Sequence, residues 1–141
     1  MSFTYRREMT IEWGHCDPAG IVFNSRFFEY FDWNTWMLFE TALGISKSKL
    51  AATFDIIGMP LVGAGARFLK PAKFNDVVEL VSNVKEFRRS SFEVHHRIFN
   101  GGELAVEGRE MRVWAAAAAG DPQQLKVMPI PPEVIARFDA P

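Results

Sequence analysis

The sequence has little cysteine, almost no net charge and no long hydrophobic run. One cysteine in 141 residues, Cys16, excludes an intrachain disulfide framework. A formal net charge of −1 argues against general electrostatic attraction to nucleic acid or to an anionic membrane, so any anion site must be local. No stretch approaches the roughly 18 apolar residues of a spanning helix, and no signal-peptide core follows the charged start. We therefore expect a cytoplasmic protein that binds neither nucleic acid nor membrane.

Apolar and aromatic side chains are what the sequence has in quantity. Apolar residues make up 48% of the chain and charged residues 23%, which is enough for a sizeable core. The length fits one domain, and repeats and linkers are lacking, so we predict a single domain over residues 1–141. Thirteen Phe and four Trp are many for one core of this size, and they indicate an oligomer interface.

The strongest periodic pattern predicts a long helix. Apolar residues recur at spacings of three and four from Phe27 to Ala42. Asn24 or Ser25 can cap the start of this helix, and Gly44 can end it. The other faces of the helix also carry aromatic residues, so we expect it to be enclosed, as it would be by a sheet wrapped around it.

Strand patterns lie on both sides of this helix. The segment Met9–Trp13 alternates apolar and polar residues, as a half-buried strand does. After a short second helix within residues 46–54, four runs predict strands: Leu61–Leu69, Val77–Phe87, Phe92–Phe99 and Leu104–Ala117. The alanine run 115–119 is typical of a strand that ends in a loop. Residues 131–135 are typical of a short closing helix. This order predicts an α+β domain in which one antiparallel sheet of about five strands curls around one helix.

A shaped loop separates the first strand from the long helix. It reads His15-Cys16-Asp17-Pro18-Ala19-Gly20, and a residue before proline is kept out of helical geometry, so we predict Asp17 on an extended loop. An Asp in an Asp-Pro step is by itself more often a turn former than a functional residue. Neighbours on an extended segment point to opposite sides, so His15, Cys16 and Asp17 cannot converge as a catalytic triad.

The segment Trp13-Gly14-His15-Cys16-Asp17-Pro18-Ala19-Gly20-Ile21-Val22-Phe23 resembles the active-site signature of 4-hydroxybenzoyl-coenzyme A thioesterase and its hot-dog relatives. Residues 68–76 and 86–92 follow the same family plan. The resemblance implies a hot-dog fold, in which an antiparallel sheet wraps around one long central helix, and an enzyme that hydrolyses an acyl-coenzyme A. It also implies a homo-oligomer, a dimer or homotetramer, with active sites at subunit interfaces.

The resemblance further implies which residues form the site. Asp17 would be the catalytic carboxylate, as nucleophile or general base, and the backbone N–H of Asn24 would polarise the thioester carbonyl. Substrate contacts would come from Gly20, Arg88, Arg89 and Ser90, the arginines binding phosphates of coenzyme A. We expect no cofactor, because coenzyme A is part of the substrate, and no metal, because the strand that carries His95 and His96 points them to opposite faces.

The sequence leaves several alternatives open. The acyl group is either aromatic or a short to medium chain, because Arg26-Phe27 stands where close relatives often carry Asn-Tyr and position 24 is not aromatic. Hot-dog proteins also include dehydratases that act on acyl thioesters. A non-catalytic acyl-coenzyme A binding module, or an assembly protein, would not need Asp17. On local grounds paired arginines on a turn are usually just solvated.

Overall fold

The computed structural model describes residues 3–118 and 121–139. The helices and strands, in chain order, are β1 Thr4–Thr10, α1 Asn24–Leu43, α2 Lys47–Phe54, β2 Leu61–Phe68, β3 Val77–Phe87, β4 Ser91–Asn100, β5 Glu103–Val113, β6 Ala115–Ala118, β7 Asp121–Val127 and α3 Pro132–Arg137. Within these residues, five strands form an antiparallel sheet in the order β1-β3-β4-β5-β2, and β6 pairs with β7 in a separate ladder.

The long helix α1 has nearly the predicted bounds. Gly44 ends it in the left-handed conformation, with a φ of 70° that favours glycine. The predicted caps are wrong, because Phe23 is the N-cap residue and offers no side-chain hydrogen bond. Asn24 is instead the first residue of the helix. Among the described residues, the N–H groups of Asn24 and Ser25 therefore have neither an intrahelical acceptor nor a capping side chain, while that of Arg26 donates to Phe23 O at 2.9 Å.

One face of α1 packs on the five-stranded sheet. Buried side chains form two clusters between them, one around Phe39 and Phe92 and the other around Phe31 and Ile98. The expectation that α1 is enclosed is correct for this face only. Trp33 is 61% exposed and lies on a flank that the described chain leaves open, because a single sheet layer covers one side of a helix.

The first strand lies further toward the N-terminus than its predicted position at residues 9–13. β1 begins at Thr4 and ends at Thr10, and Trp13 belongs to a short 3-10 turn. The inward-facing side chains of β1 include Arg7, whose Nε donates a hydrogen bond to Asn34 Oδ1 at 2.9 Å. A charged residue at an inward position breaks the apolar alternation, and this explains why the pattern missed the strand.

The predicted long strand over residues 104–117 is two strands. The chain breaks at Trp114, which is buried and donates its backbone N–H to Ser90 O at 2.8 Å, while its carbonyl accepts from Met128 N at 2.7 Å. Beyond the break, β6 does not fade into a loop but pairs with β7, which the sequence pattern did not predict. The end of the alanine run, Ala119, lies outside the described residues.

Candidate active site

Residues 15–23, here called the Asp17 loop, form a small hairpin in front of α1. The backbone N–H of Asp17 donates to Ile21 O at 2.9 Å, and that of Gly20 donates to Asp17 O at 2.9 Å. Gly20 has a φ of 78°, a left-handed conformation that glycine adopts without steric cost. The segment that was predicted as extended is therefore a tight turn, and Asp17 opens it.

The Asp17 carboxylate is half-buried and only partly satisfied. Its Oδ1 accepts a hydrogen bond from the backbone N–H of Ala19 at 2.8 Å. Within the described residues, Oδ2 has no hydrogen-bond partner. One carboxylate oxygen is therefore free to meet a bound substrate or water.

The hairpin delivers the chain directly to the start of α1. The N–H of Phe23 donates to His15 O at 3.0 Å, and Asn24 follows as the first helical residue. Free N–H groups at a helix N-terminus, together with the helix dipole, favour negative charge. The sequence-predicted residues Asp17, Gly20 and Asn24 thus lie on one short hairpin and the helix that it enters.

The Asp17 loop also rests on the segment that leads into β3. The N–H of Val22 donates to Ala72 O at 2.8 Å, and the N–H of Phe74 donates to Gly20 O at 3.0 Å. β3 begins three residues after Phe74, at Val77. The Asp17 loop therefore lies at the end of the sheet where β3 starts.

The predicted phosphate contacts lie at the other end of β3. Arg88 and Arg89 are exposed on the turn that follows Phe87, and Arg88 Nη2 pairs with Glu86 Oε2 at 3.1 Å. Ser90 is on the same turn. β3 has 11 residues, which at 3.2–3.4 Å per residue spans roughly 30 Å. Within one chain, the structure does not bring this turn together with Asp17 and Asn24.

A second set of polar residues lies between α1 and the sheet, each of them exposed by 3% or less. We call it the buried network, and its members are Asn34, Thr35, Ser82, His96, Glu110 and Arg112. Sequence reasoning did not identify it as a group. The available signal was the occurrence of polar side chains, such as Thr35 and Ser82, at inward positions of otherwise apolar patterns.

Hydrogen bonds link the members of the buried network across α1 and the sheet. Asn34 Nδ2 donates to Ser82 Oγ, Ser82 Oγ lies 2.6 Å from His96 Nδ1, and His96 Nε2 lies 3.1 Å from Glu110 Oε1. Burial lowers the pKa of His96 and so favours its neutral form. In the neutral imidazole, Nδ1 can accept from the Ser82 hydroxyl while Nε2 donates to Glu110.

Glu110 and Arg112 form an ion pair within the network. Arg112 Nη2 donates to Glu110 Oε2 at 2.7 Å and to Asp32 Oδ1 at 2.7 Å. Burial alone would raise the pKa of Glu110, but hydrogen bonds from His96 and Arg112 outweigh it and lower that pKa to about 2. Burial likewise opposes the charge on Arg112, but Glu110 and Asp32 raise its pKa overall. Both groups are therefore charged.

Ser82, His96 and Glu110 have the hydrogen-bond order of a hydrolytic triad. Ser82 has 0% exposure, however, and its oxygen already accepts from Asn34, so no substrate carbonyl can reach it. We conclude that the buried network is structural. Over residues 3–118 and 121–139, no three His, Cys, Asp or Glu side chains are grouped as ligands of a metal ion.

A groove of about 710 Å³ runs along the open flank of α1. It is lined by the apolar or aromatic side chains of Phe28, Trp33, Trp36, Met37 and Leu61 and by six charged residues. Asp32 also lines the groove, and Arg112 holds its carboxylate from below. Glu29, which also lines the groove, pairs with Arg26 at 3.0 Å. The groove thus contacts the buried network at its floor and begins one helical turn beyond Asn24.

Comparison with known proteins identifies the family. The Thioesterase-like superfamily matches residues 11–138. The chain belongs to this superfamily. It is 29% identical over 140 residues to 4-hydroxybenzoyl-CoA thioesterase of Pseudomonas sp. strain CBS-3, a match that covers 96% of this chain and 97% of that protein.

Solved structures agree with this assignment. The structure of the Pseudomonas 4-hydroxybenzoyl-CoA thioesterase has a TM-score of 0.87 at 27% identity and covers 96% of this chain and 99% of its own. A D17N mutant of a 4-hydroxybenzoyl-CoA thioesterase, complexed with 4-hydroxybenzoyl-CoA, has a TM-score of 0.88 at 26% identity and covers 97% and 99%. A gentisyl-coenzyme A thioesterase has a TM-score of 0.80 at 30% identity and covers 93% and 99%.

These comparisons confirm two predictions. The fold is the hot-dog fold, and the chain is a thioester hydrolase. None of the helices in residues 3–118 and 121–139 combines the length and the hydropathy of a membrane-spanning segment.

Proposed function

We propose that this enzyme hydrolyses an aromatic acyl-coenzyme A, with Asp17 as the catalytic carboxylate. The observation that carries the proposal is the position of Asp17, half-buried with a free oxygen on a hairpin that leads into the uncapped N-terminus of α1. A relative with a D17N substitution was crystallised with its thioester substrate bound, which supports a role for an acidic residue in turnover.

The chemistry needs one base or nucleophile and one donor for the oxyanion. Asp17 either attacks the thioester carbon, so that the C–S bond breaks and water hydrolyses the resulting anhydride, or it takes a proton from the water that attacks. The backbone N–H of Asn24 would stabilise the oxyanion, and loss of one such donor typically costs about 10²–10³ in rate. Neither route needs a metal or a cofactor.

The acyl group that best fits the groove is a hydroxylated aromatic ring. Phe28 and Trp36 provide apolar walls, and Asp32 provides a carboxylate that could accept a hydrogen bond from a ring hydroxyl. Relatives named for 4-hydroxybenzoyl and gentisyl thioesters support this class. A short or medium straight chain would contact the same walls but would leave Asp32 without a ligand partner.

We further propose that the complete site is shared between two copies of the chain. Asp17 and the Arg88 turn lie at opposite ends of β3, so one chain does not offer both to the same ligand. The turn of a partner subunit would supply Arg88, Arg89 and Ser90 to the thioester beside Asp17. In a homodimer this arrangement gives two equivalent sites.

A thiol-release screen tests the proposed reaction. The pure protein is assayed with benzoyl, 4-hydroxybenzoyl, phenylacetyl and straight-chain coenzyme A thioesters, and we expect the hydroxylated ring to be fastest. Asp17→Asn should lower kcat by about 10²–10⁴. Asp55→Asn is a matched control, because Asp55 is exposed and holds a φ of 54° that Asn also tolerates. Release of no thiol at all would favour a binding module, and a fully active Asp17→Asn would refute the mechanism.

Mixed subunits test the shared site. Asp17→Asn chains are co-expressed with chains that carry Arg88→Glu and Arg89→Glu, and thiol release is measured at low substrate concentration. If the site draws on two chains, random two-fold pairing restores about a quarter of the parental sites. No recovery in confirmed mixed dimers would show that one chain contains the whole site.

A further inference from the structure

The side chain of His15 links the Asp17 loop to α1. Its Nδ1 lies 3.0 Å from Tyr30 Oη, and the two rings are in contact, with centroids 5.6 Å apart. Tyr30 is only 4% exposed and packs edge-on against Phe27, at 5.7 Å between centroids and an interplanar angle of 88°. The hydroxyl that meets His15 is therefore held by a rigid, buried ring.

His15 makes one contact with the N-cap residue of α1 and one with the helix itself. Its carbonyl accepts from Phe23 N at 3.0 Å, and its imidazole contacts Tyr30 almost two helical turns into α1. Other side chains of the loop bond locally, Cys16 Sγ to Glu12 O and Asp17 Oδ1 to Ala19 N. Among the described residues, His15 is thus the loop residue whose side chain hydrogen-bonds to α1.

The chemistry of this contact makes it robust. Burial is the main cause that raises the pKa of Tyr30 to about 12, so the phenol stays protonated at any working pH. A hydroxyl donates to an unprotonated Nδ1 and accepts from a protonated one. The hydrogen bond therefore persists whichever nitrogen of His15 carries the proton.

We infer that His15 is a positioning residue, which through Tyr30 holds the Asp17 carboxylate in register with the N-terminus of α1. The inference rests on the proposed function, in which Asp17 and the Asn24 N–H act on one carbonyl. The Asp17 carboxylate and the Asn24 N–H then keep a fixed relative position, because Tyr30 and Asn24 lie on the same helix. A misplacement of about 1 Å can cost as much as 10² in rate, so one hydrogen bond at this position matters.

Steady-state kinetics of four variants test the inference. Tyr30→Phe keeps the ring and removes the hydroxyl, and His15→Ala removes the imidazole; each should lower kcat about tenfold or more with little change in KM. His15→Asn, whose amide reaches the position of Nδ1, should recover most of the rate. Tyr5→Phe is the matched control, because it removes the hydroxyl of the chain's other tyrosine, which lies on β1. This variant should leave kcat unchanged.

Two further measurements separate positioning from a general loss of structure. In an Asp17→Asn background, Tyr30→Phe should cause no additional loss of rate, because the carboxylate that it positions is gone. Amide hydrogen exchange across residues 16–23 should be faster in Tyr30→Phe than in the parent, at an unchanged unfolding midpoint.

The outcomes distinguish the inference from the proposed function. A Tyr30→Phe enzyme as fast as the parent overturns the positioning role, and so does an equal slowing of the parent and the Asp17→Asn variant. If Asp17→Asn is fully active, the proposed mechanism fails, and a positioning role that serves Asp17 fails with it. The hydrogen-exchange data do not depend on that mechanism. They would still show whether the His15–Tyr30 contact links the Asp17 loop to α1.

Discussion

The Asp17 loop and the buried network each combine a histidine with a carboxylate, yet they differ in how completely their polar atoms are paired. Asp17 keeps one carboxylate oxygen free and is partly exposed. In the buried network every carboxylate and imidazole atom has a partner, and within the described residues no buried side-chain nitrogen or oxygen lacks one. A carboxylate that reacts with substrate must be accessible and incompletely hydrogen-bonded. A carboxylate that stabilises the fold must be buried and fully hydrogen-bonded.

The buried network joins α1 to three strands of the sheet. Ser82 lies on β3, His96 on β4 and Glu110 on β5, while Asn34 and Thr35 lie on α1. A buried ion pair is often no more stabilising than apolar residues of the same shape. The loss of one partner, however, leaves the other charge buried and unpaired. We therefore expect variants here to change the free energy of unfolding, and variants of the Asp17 loop to change the rate.

The largest expected effect on stability comes from Glu110→Ala. The change leaves Arg112 buried without its main partner and removes the carboxylate beside His96 Nε2, so the free energy of unfolding should fall by about 3–5 kcal/mol. Denaturant unfolding followed by circular dichroism measures it. Glu107→Ala on the outer face of β5 is the matched control, since its exposed pair with Arg67 at 3.6 Å should be worth about 1 kcal/mol or less. Equal losses for the two variants would remove the distinction between sealed and exposed carboxylates.

A smaller effect is expected from Gly108→Ala. A Cβ at this position would lie 2.3 Å from Cε2 of Phe31, whose ring stacks on His96 with centroids 4.7 Å apart. Overpacking of this kind typically costs about 1–3 kcal/mol. Gly65→Ala, whose Cβ would have its nearest neighbour at 3.8 Å, should be nearly neutral. The unfolding midpoints of the two variants decide the point, and an unaffected Gly108→Ala would contradict the tight packing of Phe31 against Gly108.

The smallest effect is a pH dependence of stability. The pKa of His96 is lowered from 6.5 in the folded state, so the unfolded state binds the extra proton and stability falls as pH drops below about 6.5. The limiting slope for one proton is about 1.4 kcal/mol per pH unit. Glu110, with a pKa lowered from 4.5 to about 2, adds a second loss between those two values.

Adjacent histidines provide the control for this pH effect. His96→Gln should flatten the dependence of the unfolding free energy between pH 6.5 and 5, whereas His95→Gln, on the exposed face of the same strand, should retain it. Urea titrations at several pH values measure both slopes. A slope that survives in His96→Gln would assign the proton to another group.

The fold was predictable where a pattern was regular. The spacing of apolar residues predicted α1 up to Gly44, and alternation predicted β3 with the observed bounds of Val77 and Phe87. β1 was misplaced because Arg7 faces inward. β7 was missed because its pairing with β6 is a tertiary contact that leaves no period in the sequence.

The candidate site was only partly predictable. The loop signature predicted Asp17 as a site residue, which stays a prediction, whereas the tight turn and the His15 contact with Tyr30 came from the structure. The sequence placed the paired arginines correctly on a turn. It did not predict their separation from Asp17, because that separation depends on the end of β3 at which each loop lies in the fold. The buried network was invisible because hydrogen bonds between distant elements, such as Ser82 with His96, have no local signature.

We propose that Asp17 serves the reaction and does not support the fold. The most direct test measures kcat and the unfolding midpoint of Asp17→Asn together, with the best thioester from the screen. We expect kcat to fall by about 10²–10⁴ while the free energy of unfolding stays within about 0.5 kcal/mol of the parent. An active Asp17→Asn enzyme, or a loss of rate that merely follows a loss of folded protein, would contradict the account.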